Sequence, residues 1–271
     1  MQYKSITFIG GGNMAQAIIT GLVKTDYPTH QIYVCDRNAE KRALFAKQGI
    51  NTGETTLSAL ENAEVIVLAI KPQSFVESCQ FINHLDFSNK LVISIAAGIS
   101  TQRIQELLPS ATQIIRVMPN TPALVSSGMA GLYADAKVSQ ENKLFAQHLL
   151  GAIGETLWVP QEALMHHITA ASGSSPAYFF LFMEAMQNML VESGISAQDA
   201  RLLVQQSALG SAKMVIENPD VSITDLRKNV TSKGGTTASA IAVFEQQHLA
   251  QTVQQAMQAC IKRSQEMEKL F

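Results

Sequence analysis

The chain has 271 residues, which is enough for one large domain or two of ordinary size. Hydrophobic residues make up 46% of it, charged residues 15%, and the formal net charge is −2, so the composition excludes a disordered chain and the basic surface of a nucleic-acid-binding protein. The three cysteines have no metal-binding spacing, the N-terminus runs directly into a strand pattern, and no apolar run reaches the roughly 18 residues of a membrane span. We therefore expect a globular protein of the cytoplasm.

Short apolar runs alternate with helical patterns over the first part of the chain. The predicted strands cover residues 5–10, 31–36, 64–70, 90–96 and 113–119. Continuous apolar runs of this length are typical of strands that are buried on both faces. Residues 13–25 and 38–49 have helical spacing, so the alternation predicts an α/β fold with a doubly wound parallel sheet.

The strand signals end at Pro160, after two runs over residues 128–134 and 155–160 that can extend the sheet at its edge. We therefore predict an N-terminal α/β domain over residues 1–160 and an all-helical domain over residues 161–271. A helix predicted over residues 177–191 is apolar nearly all round and needs burial on every side. A small helical domain cannot easily provide that burial, so a partner subunit is its natural cover.

A glycine pattern follows the first predicted strand directly. Gly10, Gly12 and Ala15 form G-x-G-x-x-A between this strand and the first predicted helix. In that context the pattern predicts a Rossmann-type dinucleotide site, because glycines let the backbone approach a pyrophosphate that lies on the helix N-terminus. The candidate cofactor-binding residues of this loop are Gly10, Gly11, Gly12, Asn13 and Met14.

Two residues at the end of the second strand favour different dinucleotides. Asp36 occupies the position of a carboxylate that normally binds the ribose 2′-hydroxyl of NAD and repels a 2′-phosphate. Arg37 follows it, and a guanidinium favours a 2′-phosphate. An alternative is that Arg37 stacks on adenine or is solvated. The pair leaves the choice between NADPH and NADH open.

Two later strands end in proline turns, "LAIKPQ" and "RVMPNTPA". Strand C-termini are where doubly wound sheets place ligands, so these turns supply candidates for the nicotinamide half of the site. The candidates are Ala69, Lys71, Pro72, Pro119, Asn120 and Pro122. Alternatively, the prolines only end the strands. His166 and His167 fit a pair on a helix face better than a metal or acid–base site, because no cysteine or carboxylate completes a ligand set.

The stretch "NVTSKGGTTASAI", residues 229–241, places paired glycines inside the helical region. Each glycine costs a helix about 1 kcal/mol relative to alanine, so the pair requires another explanation. Small residues with free N–H groups at a helix start form a nest for an anion such as a carboxylate. The alternative is that Thr236 and Thr237 only cap the helix.

The motifs together resemble those of the pyrroline-5-carboxylate reductase family, over almost the whole chain. Its members share, in this order, "FIGGGNMAQAI", "LAIKP", "SIAAGI", "RVMPNTPALV", "ASGSSPAYFF", "GSAKM" and "GGTT". The resemblance implies an N-terminal Rossmann domain followed by a helical domain for substrate binding and dimerisation. It also implies reduction of the cyclic imine of Δ1-pyrroline-5-carboxylate to proline, usually with NADPH and in some members with NADH.

The resemblance further assigns site residues. It implies that the loop containing Ser232, Gly234, Gly235, Thr236 and Thr237 binds the substrate carboxylate, and that the Thr237 hydroxyl lies near the ring nitrogen as the catalytic group. It places Thr56 in the adenine-ribose region, where many members have asparagine. No metal is expected, and the assembly is expected to be a homodimer, further assembled into a ring of dimers. Lys233 departs from the family, which usually has proline there, and the loss of proline predicts a less rigid loop.

Two other functions are compatible with the domain order. A β-hydroxyacid dehydrogenase would need a base such as the lysine that family carries on the first helix of its second domain, yet no lysine occurs between Lys143 and Lys213. A non-catalytic dinucleotide sensor would keep the first glycine loop. Such a sensor has no need of a carboxylate nest, so "GGTT" discriminates against it.

Overall fold

The computed structural model describes residues 3–54 and 57–270, and within them it forms an eight-stranded sheet. The strands are β1 (Ile6–Ile9), β2 (Ile32–Cys35), β3 (Asn51–Gly53), β4 (Val65–Leu68), β5 (Leu91–Ser94), β6 (Gln113–Met118), β7 (Gly128–Ala134) and β8 (Gly154–Trp158). Their order is β3-β2-β1-β4-β5-β6-β7-β8. All neighbouring pairs are parallel except β6 and β7. The predicted parallel-dominated α/β fold is confirmed.

Seven helices accompany the sheet in the first part of the described chain. They are α1 (Asn13–Lys24), α2 (Ala39–Ala46), α3 (Leu57–Asn62), α4 (Phe75–Ile82), α5 (Thr101–Leu107), α6 (Gln140–Gly151) and α7 (Met165–Ile168). Successive strand residues face opposite sides of the sheet. Val67 accordingly packs with α1 and α6, and Leu68 packs with α4 and α5. Helices therefore cover both faces, as a doubly wound sheet requires.

Strand β3 is absent from the prediction because its sequence, Asn-Thr-Gly, has no large apolar side chain. It lies at the edge of the sheet and pairs only with β2, starting at the Tyr33–Asn51 register. Strand β7 covers the predicted residues 128–134, and the other predicted strands are shorter than expected. The residues just beyond their C-terminal ends, such as Gly10 and Ala69, instead form the loops in which the candidate site residues lie.

The second part of the described chain is helical, as predicted. Its helices are α8 (Ser175–Glu192), α9 (Ala197–Ile216), α10 (Ile223–Asn229), α11 (Thr236–Gln246) and α12 (Leu249–Glu268). The chain divides into two compact units, Met1–Pro176 together with Ala259–Phe271, and Ala177–Gln258. On α8, Phe179, Phe180 and Leu181 are each more than 60% exposed in the single chain. The apolar surface predicted from the sequence thus remains uncovered within one subunit.

Buried charges join the end of α12 to the sheet in the first unit. Arg116 on β6 is 3% exposed, and its guanidinium donates to carboxylate oxygens of Glu162 and Glu268. Glu162 also accepts hydrogen bonds of 2.7 Å from the backbone N–H and the hydroxyl of Thr101, at the start of α5. Buried ions need partners of this kind, because desolvation of an unpaired charge is costly.

His166 belongs to the same network, which corrects the prediction of a histidine pair on one helix face. Its Nδ1 lies 2.9 Å from the Ser264 hydroxyl and its Nε2 lies 3.1 Å from Glu268, whereas His167 is exposed. Consecutive residues of a helix point in different directions, so the two rings separate. This network, the C-terminal clamp, consists of Thr101, Arg116, Glu162, His166, Ser264 and Glu268. In the described part of the chain no cluster of His, Cys, Asp and Glu could hold a metal.

Candidate functional site

The glycine loop after β1 opens α1 without a capping side chain. Gly10 has φ +99°, and a Cβ there would lie 2.4 Å from the Ala69 carbonyl oxygen, so only glycine fits. Gly12 is the N-cap, and a Cβ on it would meet nothing within 4 Å. The first helical hydrogen bond runs from Gln16 N–H to the Gly12 carbonyl. Within the described residues the N–H groups of the first turn have no acceptor in the protein, and the space beside Gly12 is open, as a bound phosphate requires.

Gly11 has a different environment from Gly12. It is buried, its N–H donates to Oδ2 of Asp36 at 2.8 Å, and a Cβ there would lie 2.8 Å from the Phe45 ring. Its neighbour Gly10 donates to the Cys35 carbonyl, also at 2.8 Å. Two consecutive residues at the end of β2 thus fix two consecutive glycines of the loop.

Beside the glycine loop lies a cavity of about 740 Å³. Such a volume is within the usual range of sites for small molecules and cofactors. Its lining includes Gly10, Gly12, Asp36, Arg37, Ala69 and Lys71, all of them predicted cofactor-binding residues. The carboxyl ends of β1, β2 and β4 therefore bring these candidates together at one edge of the sheet.

The remaining cofactor candidates that the structure describes are not among the residues that line this cavity. Pro72 begins a short 3₁₀ turn, Pro72–Ser74, directly after the exposed Lys71. Asn120 is 8% exposed and does not line the cavity. Its side chain accepts from Met129 N–H at 2.9 Å and donates to the Ser172 carbonyl at 3.1 Å, so it joins loop segments. Thr56 lies outside the described residues.

Several cavity residues were missed by the sequence interpretation. Lys41 lines the cavity four residues after Arg37, and Ser74 and Ser78 line it one helical turn apart at the start of α4. The spacing of these residues is a usable signal only once the bounds of α2 and α4 are known. Cys79, on the same helix, is fully buried, and burial raises the pKa of its thiol to about 12, so it carries no thiolate at neutral pH.

In the other compact unit, the paired glycines begin α11. Gly234 has φ +73°, and the Gly235 N–H donates to the Ser232 carbonyl at 3.0 Å. Gly235 is the N-cap, with no side-chain cap, and a Cβ there would lie 2.5 Å from the Ser232 hydroxyl. Thr236 and Thr237 are exposed, and within the described chain neither hydroxyl makes a hydrogen bond. The alternative of two capping threonines therefore has no support in this geometry.

Side-chain caps are common elsewhere in this protein. Within the described residues, α2, α5, α6, α9 and α10 each begin with an Asn or Ser whose side chain accepts a first-turn N–H: Asn38, Ser100, Ser139, Ser196 and Ser222. The helices α1 and α11 have glycine at this position instead. Both candidate anion sites thus lie at helix ends whose N–H groups are left without protein partners.

Both parts of the chain match models of known protein families. Residues 162–267 match a family model described as pyrroline-5-carboxylate reductase dimerisation. Residues 5–98 match one described as NADP oxidoreductase, coenzyme F420-dependent. The pyrroline-5-carboxylate reductase of Pasteurella multocida is 62% identical over 275 residues, covering 100% of both chains.

Solved structures of pyrroline-5-carboxylate reductases are similar to this chain over nearly its whole length. A pyrroline-5-carboxylate reductase from Coxiella burnetii has a TM-score of 0.91 and 38% identity, covering 98% of this chain and 99% of that one. The Plasmodium falciparum pyrroline carboxylate reductase, solved with NADP bound, has a TM-score of 0.88 and 27% identity, with 99% of each chain covered. No described helix of the present protein has the length and apolar character needed to cross a membrane.

Proposed function

This chain belongs to the pyrroline-5-carboxylate reductase family and is an NAD(P)H-dependent oxidoreductase; from that premise we propose that it reduces L-Δ1-pyrroline-5-carboxylate to L-proline, the last step of proline biosynthesis. The observation that carries the proposal beyond family membership is the pair of glycine-initiated helices. One faces a cavity of dinucleotide size, and the other offers a nest for a carboxylate.

The residues beside β1 fit a dinucleotide. A side chain at Gly12 would occupy open space next to free N–H groups, where a pyrophosphate needs to approach. We assign cofactor binding to Gly10, Gly11, Gly12, Asn13, Met14, Asp36, Arg37, Thr56, Ala69, Lys71, Pro72 and Asn120. Gly11 and Asn120 act within this set by shaping the loops, because their polar groups bond to protein atoms. We favour NADPH over NADH, because the cations Arg37 and Lys41 both line the cavity.

We assign the substrate carboxylate to Ser232, Gly234, Gly235, Thr236 and Thr237. One helix-terminus contact contributes only about 0.3 to 2 kcal/mol, so several converging N–H groups are needed to orient the ring. The positive φ of Gly234 and the Gly235–Ser232 hydrogen bond turn the backbone of this loop into the start of α11. Lys233 is exposed and places a positive charge beside the nest.

Bound NAD(P)H supplies a hydride to the imine carbon of the C=N bond. An imine with a pKa near neutrality can enter already protonated, so the protein mainly positions two reactants and excludes water. Positioning of this kind lowers the reaction barrier by up to about 7 to 11 kcal/mol. We assign to Thr237 the hydrogen bond from its hydroxyl to the ring nitrogen as the imine becomes an amine. An interaction that strengthens along the reaction lowers the barrier, whereas uniform binding does not.

We also propose an assembly and a role for each part of the chain. A dimerisation domain together with the exposed apolar residues of α8 supports an oligomer, and we propose a homodimer that assembles further into a ring of dimers. We propose that residues 1–160 bind the dinucleotide, and that residues 161–271 bind substrate and form the dimer. Cytoplasmic localisation is part of the same proposal, and no nucleic-acid or membrane partner is expected.

The test follows NADPH and NADH absorbance with purified protein and pyrroline-5-carboxylate. We expect consumption of NADPH, and of NADH at a lower kcat/KM. A β-hydroxy acid with the oxidised dinucleotides serves as the control substrate, because a hydroxyacid dehydrogenase would turn it over. Tight dinucleotide binding with no turnover of either substrate would instead indicate a sensor and overturn the proposal.

A further inference from the structure

Asp36 has a position from which two different roles are possible, and the sequence does not separate them. A carboxylate that binds the ribose 2′-hydroxyl would select NADH and exclude the 2′-phosphate of NADPH. A carboxylate that binds the protein backbone would instead fix the shape of the site and leave the selection to other residues. The contacts of the Asp36 side chain show that the second role is filled in this structure.

Both Asp36 carboxylate oxygens accept backbone hydrogen bonds. Oδ2 accepts the N–H of Gly11 at 2.8 Å, and Oδ1 accepts the N–H of Asn38, also at 2.8 Å. Lys41 places its Nζ 3.8 Å from Oδ2, and only 13% of the Asp36 side chain is exposed. Hydrogen bonds to an ionised acceptor are shorter and stronger than neutral ones, so these contacts fix the carboxylate firmly.

The turn that carries Asp36 is itself fixed by further bonds. Arg42 donates from Nη1 to the carbonyl oxygens of Asp36 and Arg37, at 2.7 and 3.0 Å. The Asp36 N–H donates to the Gly53 carbonyl on β3. Asp36 is thus a fixed support for the glycine loop, 25 residues earlier in the chain.

The hydrogen bond to Gly11 determines which N–H groups remain for the pyrophosphate. With the Gly11 N–H turned toward Asp36, the loop passes into α1 at Gly12, and the free N–H groups are those of the first helical turn. If the carboxylate were lost, the buried Gly11 N–H would have no acceptor, and the loop would have to change to find one. That change would affect the site of the pyrophosphate, which NADPH and NADH share.

We propose that Asp36 is a positioning residue for the pyrophosphate loop and does not select between NADPH and NADH. Selection falls to two nearby cations, the exposed Arg37 and the partly buried Lys41 on α2, which line the cavity together with the carboxylate of Glu54. The inference rests on the proposed dinucleotide site. It is independent of the substrate, since it concerns the binding of the two dinucleotides alone.

The test measures Kd for NADPH and for NADH by fluorescence titration, without substrate, on the full-length protein and its Asp36→Ala and Asp36→Asn variants. For Asp36→Ala we expect both Kd values to rise by the same factor, about ten-fold or 1.4 kcal/mol, with the NADPH/NADH ratio unchanged within about two-fold. Asp36→Asn keeps one acceptor oxygen, so it should restore part of the affinity for both. In turnover assays KM for the dinucleotide should rise while kcat is kept.

Arg37→Met is the matched control, because it should weaken NADPH and leave NADH nearly unchanged, which proves that the assay detects selection. If Asp36→Ala weakened NADH while NADPH bound as well or better, Asp36 would be the selector and the proposal would be overturned. It would also be overturned if the variant melted at a lower temperature but bound both dinucleotides like the parent, since Asp36 would then serve only the fold. Asp36→Asn answers the same questions if the alanine variant does not fold. Absence of turnover with pyrroline-5-carboxylate would count against the proposed reaction and leave these titrations valid.

Discussion

The helices α1 and α11 begin alike in sequence and differently in structure. Each has a glycine at the N-cap and no side chain that caps its first turn, unlike the five helices capped by Asn or Ser. The start of α1 is supported from β2, through the carbonyl of Cys35 and the carboxylate of Asp36. Within the described residues the start of α11 has local bonds alone, from the Gly235 N–H to the Ser232 carbonyl and from Ser239 to the Gly235 carbonyl, next to a loop of exposed residues.

This difference suggests how one device, a helix start without a cap, serves two ligands. A dinucleotide is long and makes many contacts, so a rigid loop lowers the cost of ordering the site. The substrate and the dinucleotide both enter and leave once in each turnover, but the substrate is held only by a carboxylate and a ring nitrogen. A loop with few fixed bonds can order around so small a ligand, because local mobility follows from low contact density and exposed backbone.

The largest effect is expected at the start of α1. Gly12→Val should raise Kd for NADPH at least 100-fold, about 2.7 kcal/mol, because its side chain would fill the space that the pyrophosphate needs. The fold should survive, since Gly12 has φ −72° and nothing lies within 4 Å of a Cβ there. Fluorescence titration measures the affinity and circular dichroism the melting temperature. Gly151→Val, at another position with an open Cβ, is the control, and titration of Gly12→Val like the parent would show that the phosphate lies elsewhere.

The next effect concerns the hydroxyl at the start of α11. Thr237→Ala should lower kcat by about 10-fold to 100-fold, corresponding to about 1.4 to 2.7 kcal/mol of transition-state stabilisation. The melting temperature should not change, because the hydroxyl makes no hydrogen bond within the described chain. Thr237→Ser, which keeps the hydroxyl, should recover most of the activity. A lower melting temperature combined with full turnover would mean that the hydroxyl caps the helix.

Ser139 caps α6 with its side chain, so it can be compared with the uncapped starts of α1 and α11. Ser139 accepts the Asn142 N–H at 3.2 Å at the start of α6, so Ser139→Ala should lower the free energy of unfolding by about 1 kcal/mol. Neither Kd for NADPH nor kcat should change. Denaturant unfolding and the two functional assays give the comparison. Loss of dinucleotide affinity in this variant would remove the distinction between structural caps and open helix starts.

The smallest effect is expected from Lys233, which stands where the family usually has proline. Lys233→Gln should raise KM for the substrate about 2-fold to 5-fold, because one exposed charge attracts a carboxylate only weakly in water. The difference from the parent should shrink as the salt concentration rises. Lys228→Gln, at an exposed lysine 3.4 Å from Asp225, is the control and should leave KM unchanged. An effect that did not depend on salt would show that the lysine acts through loop shape instead.

The sequence predicted the sheet well because parallel strands are buried on both faces and appear as continuous apolar runs. It missed β3, whose three residues carry no apolar signal, and it paired the two histidines wrongly, because burial of His166 depends on residues of α12. The glycine loop and the paired glycines could be located from local pattern alone. The bond between Gly11 and Asp36 could not, because a side-chain contact across 25 residues leaves no periodic trace.

The C-terminal clamp has a consequence for the order in which the protein is completed during synthesis. Arg116 meets Glu162 after 46 further residues and Glu268 only after 152. At a translation rate of about 5 to 20 residues per second, the second partner is made roughly 8 to 30 s after the arginine. The first compact unit contains the proposed dinucleotide site and begins the chain. Its Arg116 nevertheless cannot pair with Glu268 until residues 177–258 have been translated.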